Sequence, residues 1–212
     1  VAAPILDAAP TEQQFRPTAW WARTRDEIIE NVRRSLIALD ALRENFVPYA
    51  YEAQFGLEGQ PPLVIRDGAD RFQVRGLIDR VDRAPDGRVR IIDYKTGGKG
   101  SFTVTNVKKG KKLQLPLYAL AAQEALDLGN VTDGFYWHIQ AAEASSFTLA
   151  KFADKEENLF GPAGAMQTVV THAWEAVHGA RQGHFVPTPP GGGCPAYCPA
   201  ASFCWHYQPK QW

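Results

Sequence analysis

Three charged side chains stand in the middle of the chain where a strand would ordinarily be apolar: Asp79, Asp93 and Lys95. Asp79 belongs to Gly76-Leu77-Ile78-Asp79-Arg80-Val81-Asp82, and the other two to Arg90-Ile91-Ile92-Asp93-Tyr94-Lys95-Thr96-Gly97. Two strand-like runs, 72–83 and 88–96, flank Pro85-Asp86-Gly87, which is a hairpin signal. With residues 85–87 as a three-residue loop, Asp79 lies opposite Asp93. Strand side chains alternate between faces, so Asp93 and Lys95 point the same way. Two carboxylates and one ammonium then converge on one side of a hairpin. Opposed carboxylates repel, and each raises the cost of ionising the other. A divalent cation removes that conflict, and oxygen ligands of this kind suit Mg²⁺ or Mn²⁺. The competing reading is a surface hairpin whose charges merely pair off. It is disfavoured because Leu77-Ile78 and Ile91-Ile92 would bury the hairpin, and buried charge needs a partner.

Followed by Gln114-x-x-x-Tyr118, these residues resemble the PD-(D/E)XK nuclease signature in its RecB-like form. That form reads G-x-x-D, a spacer, D-Y-K-T-G, then Q-x-x-x-Y on a following helix. An Asp-x-Lys alone is common; the three pieces in order are specific. The resemblance covers residues 18–140. It implies an α/β fold with the α-β-β-β-α-β core of the family, a mixed sheet flanked by helices. It also implies metal-dependent hydrolysis of DNA phosphodiesters, exonucleolytic rather than endonucleolytic. Asp79, Asp93 and the backbone carbonyl of Tyr94 would hold Mg²⁺ or Mn²⁺, and Lys95 would orient the attacking water or neutralise charge in the transition state. Gln114 would position water or the DNA backbone, with Tyr118 beside it or on a phosphate. Glu52 stands where relatives carry a Glu on the strand entering the sheet, and a solvated Glu is an equal reading.

The implied partners are DNA, as single strand or duplex ends, and a helicase domain or subunit of the same repair or recombination machine in the bacterial cytoplasm. Many relatives use a further histidine ligand ahead of the strands. All five histidines here (His138, His172, His178, His184, His206) follow Lys95. That departure leaves room for a different class of function, a DNA-binding module without catalysis. A metal-stapled structural domain is a third reading, but it leaves the lysines below unexplained.

The elements that must carry these residues follow from periodicity. A chain of 212 residues fits one domain that buries about 70% of its unfolded surface. Lys+Arg and Asp+Glu both number 23, so nucleic-acid binding has to come from local patches rather than net charge. No apolar run approaches a membrane span and no signal peptide opens the chain. The start at Val1 rather than Met suggests a piece of a longer protein. Residues 1–16 read as an irregular lead-in. Residues 18–46 read as a helix with Ile28, Val32, Ser35/Leu36, Leu39 and Leu42 on one stripe. A strand is expected over 47–57 and a hairpin strand over 63–66, with the antiparallel meander running on through Asp93. A glycine-rich mobile loop with Lys99, Lys108, Lys109, Lys111 and Lys112 follows, at the mouth of the site, where phosphate contact is expected. A helix over 111–128 tolerates Pro116 only in its first turn, and it would turn Leu113, Leu117, Leu120 and Ala121 to the core. Strands at 131–140 and 146–152 and a helix over 161–181 complete the domain, 1–182.

The tail, 183–212, is expected to pack on that core and holds all three cysteines, as Cys194-x3-Cys198-x5-Cys204. An odd count in a non-secreted chain argues against a disulfide framework and leaves metal ligation or inert thiols. The spacing resembles the C-terminal triplet of the RecB-family branch that carries a [4Fe–4S] cluster, whose fourth cysteine lies upstream of the nuclease core and is absent here. A zinc site completed by His206 is the alternative.

Overall fold

The computed structural model describes residues 2–98, 100–187 and 193–209. The chain divides into two units, Val1–Val170 and Thr171–Trp212. In the first, strand β1 (Val47–Phe55) is followed by the hairpin β2 (Leu63–Asp67) and β3 (Asp70–Val74), then by β4 (Gly76–Arg83) and β5 (Val89–Lys95). Strands β6 (Val131–His138) and β7 (Glu143–Thr148) complete a five-stranded sheet in the order β1-β4-β5-β6-β7. All its pairs are antiparallel except β5 with β6. A parallel pair needs a crossover, and the chain supplies it as helices α3 (Val104–Lys108) and α4 (Gln114–Leu120). The short strands β8 (Ala153–Asp154) and β9 (Leu159–Phe160) then lead into helix α5 (Gly161–Arg181). This mixed sheet flanked by helices is the α/β architecture expected from the resemblance.

The β4–β5 turn forms at the expected place. Gly87 adopts φ +85°, its N–H donates to Ala84 O at 3.0 Å, and Ala84 N–H donates to Arg88 O at 2.9 Å. Pairs run from Arg83↔Val89 to Arg80↔Ile92, so one step further along Asp79 faces Asp93. The run expected at 72–83 is broken at Arg75, however. Gly76 pairs with Phe55, and a Cβ on Gly76 would lie 2.8 Å from the Phe55 ring. The chain between them, 56–75, leaves the sheet and closes β2 and β3 into their own two-stranded sheet, burying Leu63 and Ile65.

Alternation along the strands separates two faces. On one, Leu39 packs with Ile92, Phe135 and Trp137. Leu39 belongs to α2 (Trp21–Ala41), shorter than expected and preceded by α1 (Ala2–Glu12), where an irregular lead-in was expected. Alanine-rich sequence favours helix without needing an apolar period, and Asp7 pairs with Arg25 of α2 at 2.6 Å. Only Ser35 and Leu39 of the expected α2 stripe are buried; Leu36 and Leu42 are exposed. On the opposite face α4 packs against β5 and β6. Pro116 sits in its first turn as expected and Ala121 is buried as expected, but the buried residues of the helix itself are Leu115, Pro116 and Ala119, with Leu113, Leu117 and Leu120 only half-buried, and the helix passes into a π turn at Ala121–Ala125. Within the segment expected to be a mobile loop, Val104–Lys108 forms a helix. Thr103 caps α3 by accepting from Asn106 N–H at 3.2 Å, and Phe102 is buried with its ring 4.1 Å from that of Tyr136.

Candidate active site

Asp93 is wholly buried near the end of the central strand, and among the described residues neither of its oxygens has a directed hydrogen bond. Its close contact is ionic, Lys95 Nζ at 2.5 Å from Oδ2. Burial pushes the Asp93 carboxyl above the usual carboxylate range against the pull of Lys95, and Asp79 adds to the push. Asp79, half-buried on β4, accepts the Tyr94 N–H on Oδ2 at 2.8 Å. Lys95 Nζ also donates to Gln114 Oε1 at 2.9 Å, and Gln114 Nε2 donates to Tyr118 OH at 2.9 Å. Residues at i and i+4 of α4 thus bond to each other and hold the ammonium from the helix side. Burial raises the Tyr118 hydroxyl's pKa, and Asp93 and Asp79 raise it further, while Gln114 opposes. The expected residues Asp79, Asp93, Lys95, Gln114 and Tyr118 therefore form one group.

The oxygen set fits a divalent cation. A buried carboxylate held by one ammonium and set beside a second carboxylate is still costly to ionise, and further positive charge relieves it. A hard, oxygen-preferring cation such as Mg²⁺ or Mn²⁺ matches those donors.

Two residues of β6, which the sequence placed only within a strand over 131–140, join this face. Tyr136 is the register partner of Asp93, and its ring centroid lies 5.5 Å from Lys95 Nζ. Its hydroxyl accepts Leu115 N–H at 3.2 Å, next to Gln114. Burial raises its pKa well above the ordinary tyrosine value, so it stays protonated. His138, the register partner of Lys95, is buried, with Nδ1 3.3 Å from Gly97 O. Alternation on an apolar, aromatic strand was the only signal for either, and it does not say which face bears the site.

The remaining expected residues are more scattered. Glu52 falls across from Asp79 in register, but its backbone is left-handed (φ +47°) and its side chain is exposed in a groove with Glu58 and Gln60. Lys108 is engaged with Asp154 at 2.9 Å and Glu156 at 3.4 Å. Lys109 and Lys111 are exposed, and Lys112 lies over the Phe102 ring at 5.0 Å. Lys99 lies outside the described residues. In the second unit the three cysteines are free thiols; Cys194 N–H donates to Gln208 O, and Gln208 N–H reaches Cys194 Sγ at 3.5 Å. Among the described residues no group of three or more His, Cys, Asp or Glu is gathered to hold a metal, so the thiols do not form a ready ligand set. No described helix is long and apolar enough to cross a membrane.

The chain is 43% identical over 95 residues to a protein from Acetivibrio thermocellus named as a subunit of an ATP-dependent helicase/deoxyribonuclease, covering 42% of this chain and 8% of that protein. The protein of the same name from Alkaliphilus oremlandii is 45% identical over 124 residues, 53% of this chain and 11% of that one. That from Ruminiclostridium cellulolyticum is 39% identical over 108 residues, 49% and 8%. The chain thus matches about a tenth of the length of these relatives. Residues 2–205 match the PD-(D/E)XK nuclease superfamily, and with that match added to the Asp79–Asp93–Lys95 geometry, the chain belongs to this superfamily.

Proposed function

We propose that this chain is a divalent-metal-dependent deoxyribonuclease domain that hydrolyses DNA phosphodiesters, from single strands or duplex ends, within a helicase–nuclease of DNA repair or recombination. The observation that carries the reading is Asp93: a wholly buried carboxylate, facing Asp79, in close contact with Lys95. The names of the relatives, which join helicase to deoxyribonuclease, support the setting and the DNA substrate.

Asp79, Asp93 and the Tyr94 carbonyl would hold Mg²⁺ or Mn²⁺. When bound, the cation supplies Lewis acidity at the scissile phosphate and favours ionisation of the attacking water. Lys95, fixed between Asp93 and Gln114, offers a preorganised positive charge to the phosphoryl oxygens. Gln114 and Tyr118 hold that ammonium in place. Lys109, Lys111 and Lys112, just before α4, supply phosphate attraction without base choice. The cysteine spacing supports a [4Fe–4S] cluster whose fourth ligand comes from outside these residues, with zinc and His206 as the alternative. Either would require the thiols to draw together. Visible absorbance of the longer protein purified without oxygen separates the two: a brown sample that Cys198→Ser bleaches, against a colourless one holding zinc.

The nuclease reading is tested by incubating the chain with end-labelled DNA and Mn²⁺. Shortened products that EDTA suppresses are expected. DNA that is bound but left intact would favour the non-catalytic binding module.

A further inference from the structure

On the face of the sheet opposite the carboxylates, β4 and β5 carry a buried ionic network that the nuclease signature does not include. Asp82 is wholly buried, and Arg80 and Arg90 nearly so. The Arg80 guanidinium straddles the Asp82 carboxylate, Nε to Oδ1 at 2.5 Å and Nη2 to Oδ2 at 3.0 Å. Arg90 Nη2 adds a contact to Asp82 Oδ2 at 3.3 Å and also reaches Arg43 O, while its Nη1 donates to Leu42 O at 3.1 Å, at the end of α2. The remaining Arg80 nitrogen, Nη1, donates to Tyr94 OH at 3.2 Å. Tyr94 is therefore held on both sides of the sheet. Its hydroxyl is bound by Arg80 on one face, and its backbone N–H is bound by Asp79 on the other. Arg80 is covalently next to Asp79, so the two bonds close a ring across one step of the β4–β5 pair.

Taking these contacts together, we propose that Arg80 is a positioning residue for the metal-binding carboxylate Asp79, acting through Tyr94. Burying a guanidinium and a carboxylate gains little stability compared with an apolar pair of the same volume. What the arrangement supplies is a fixed direction. The planar fork can satisfy Asp82 with two nitrogens and still aim a third at Tyr94, which an ammonium cannot do. With Tyr94 locked, its N–H holds Asp79 Oδ2 in place. The network reaches on through Arg90 to α2, so that helix's last turn is tied to the same carboxylate.

The inference rests on the nuclease reading for its consequence but is tested independently of it. Tyr94→Phe removes only the hydroxyl and keeps the ring. Mn²⁺ affinity, measured by the EPR signal of the free ion, should weaken roughly tenfold, the size of effect that outer-shell partners of metal ligands show. At saturating Mn²⁺ the kcat for DNA should fall by a similar factor with KM unchanged, and exchange of the amide hydrogen at position 94 should quicken. Arg80→Lys should reproduce these losses, since the single nitrogen of a lysine does not replace the two-nitrogen fork on Asp82 together with the separate nitrogen on Tyr94 OH. A purely structural role would lower the melting temperature and leave Mn²⁺ affinity untouched. Tyr94→Phe with unchanged Mn²⁺ affinity and unchanged exchange at position 94 overturns the proposal. If the unaltered chain takes up Mn²⁺ and cuts no DNA, the nuclease reading fails, while the affinity and exchange measurements still decide the role of Arg80.

Discussion

Lys95 Nζ stands 2.5 Å from Asp93 Oδ2, the carboxylate wholly buried and the ammonium about a quarter exposed. The pair divides two tasks. Asp93 is a candidate ligand, while Lys95 carries no lone pair when charged and serves only by position and charge. Lys95→Met should therefore cut kcat by roughly 100-fold or more, the loss typical of removing a preorganised charge. Mn²⁺ binding should stay as tight or become tighter, because a neighbouring cation is gone. Isothermal titration with Mn²⁺ checks this; loss of binding in Lys95→Met would assign Lys95 to holding the carboxylates rather than to chemistry.

The raised Asp93 pKa sets the sign of a pH effect. A carboxyl whose pKa lies higher in the folded than in the unfolded protein stabilises the fold below its ordinary pKa. That contribution is lost as pH rises through the folded value. Without divalent metal, Asp93→Asn should melt higher than the unaltered chain near pH 7, by about 2–4 °C for a gain on the order of 1 kcal/mol. The advantage should shrink as pH falls toward the ordinary carboxylate range. Thermal melts across pH in EDTA check the direction. Mn²⁺ affinity should likewise start to weaken at a pH above that range.

Gly76 is required by a neighbour rather than by its own backbone. A Cβ there would lie 2.8 Å from the Phe55 ring, whose centroid is 6.2 Å from that of Tyr118. Gly76→Ala should cost about 1–3 kcal/mol, the usual effect of overpacking. Displacing Phe55 toward Tyr118 should also lower activity more than a remote substitution of equal ΔΔG. A denaturant melt paired with a rate measurement separates the two effects.

The lysines should divide by their existing partners. Lys108 is held by Asp154, which raises its pKa, so Lys108→Gln should change DNA affinity little. Lys109→Gln and Lys111→Gln should each flatten the slope of log affinity against log salt, by roughly 0.7–0.9 for every phosphate that the lysine had neutralised. Fluorescence anisotropy across salt concentrations reads this directly, for two unrelated DNA sequences that should respond alike.

Much of this site was legible in sequence because its determinants are local. The three-residue loop at 85–87 alone sets Asp79 against Asp93, and a four-residue helical spacing alone sets Gln114 against Tyr118. What escaped was set by residues distant in the chain. Arg80 and Asp82 look like ordinary polar positions of an alternating strand; only Arg90 and Tyr94 on the neighbouring strand make them a buried network. The phase of α4 was misread because Leu113 and Leu117 match the helical period as well as Leu115 and Ala119 do. Packing on β6, with Tyr136 bonded to Leu115 N–H, decides between them. Helix α3 escaped because the glycines and lysines around it outweighed its Thr103 cap and the anchor at Phe102.

The central claim is that Asp79 and Asp93 together hold the cation on which DNA cleavage depends. It is tested most directly by single-turnover cleavage of labelled DNA as a function of Mn²⁺ concentration, in the unaltered chain and in Asp93→Asn. The account predicts saturable, Mn²⁺-dependent cleavage in the first and its loss at every Mn²⁺ concentration in the second, although that variant is folded. Cleavage by Asp93→Asn with the same Mn²⁺ dependence as the unaltered chain would contradict it.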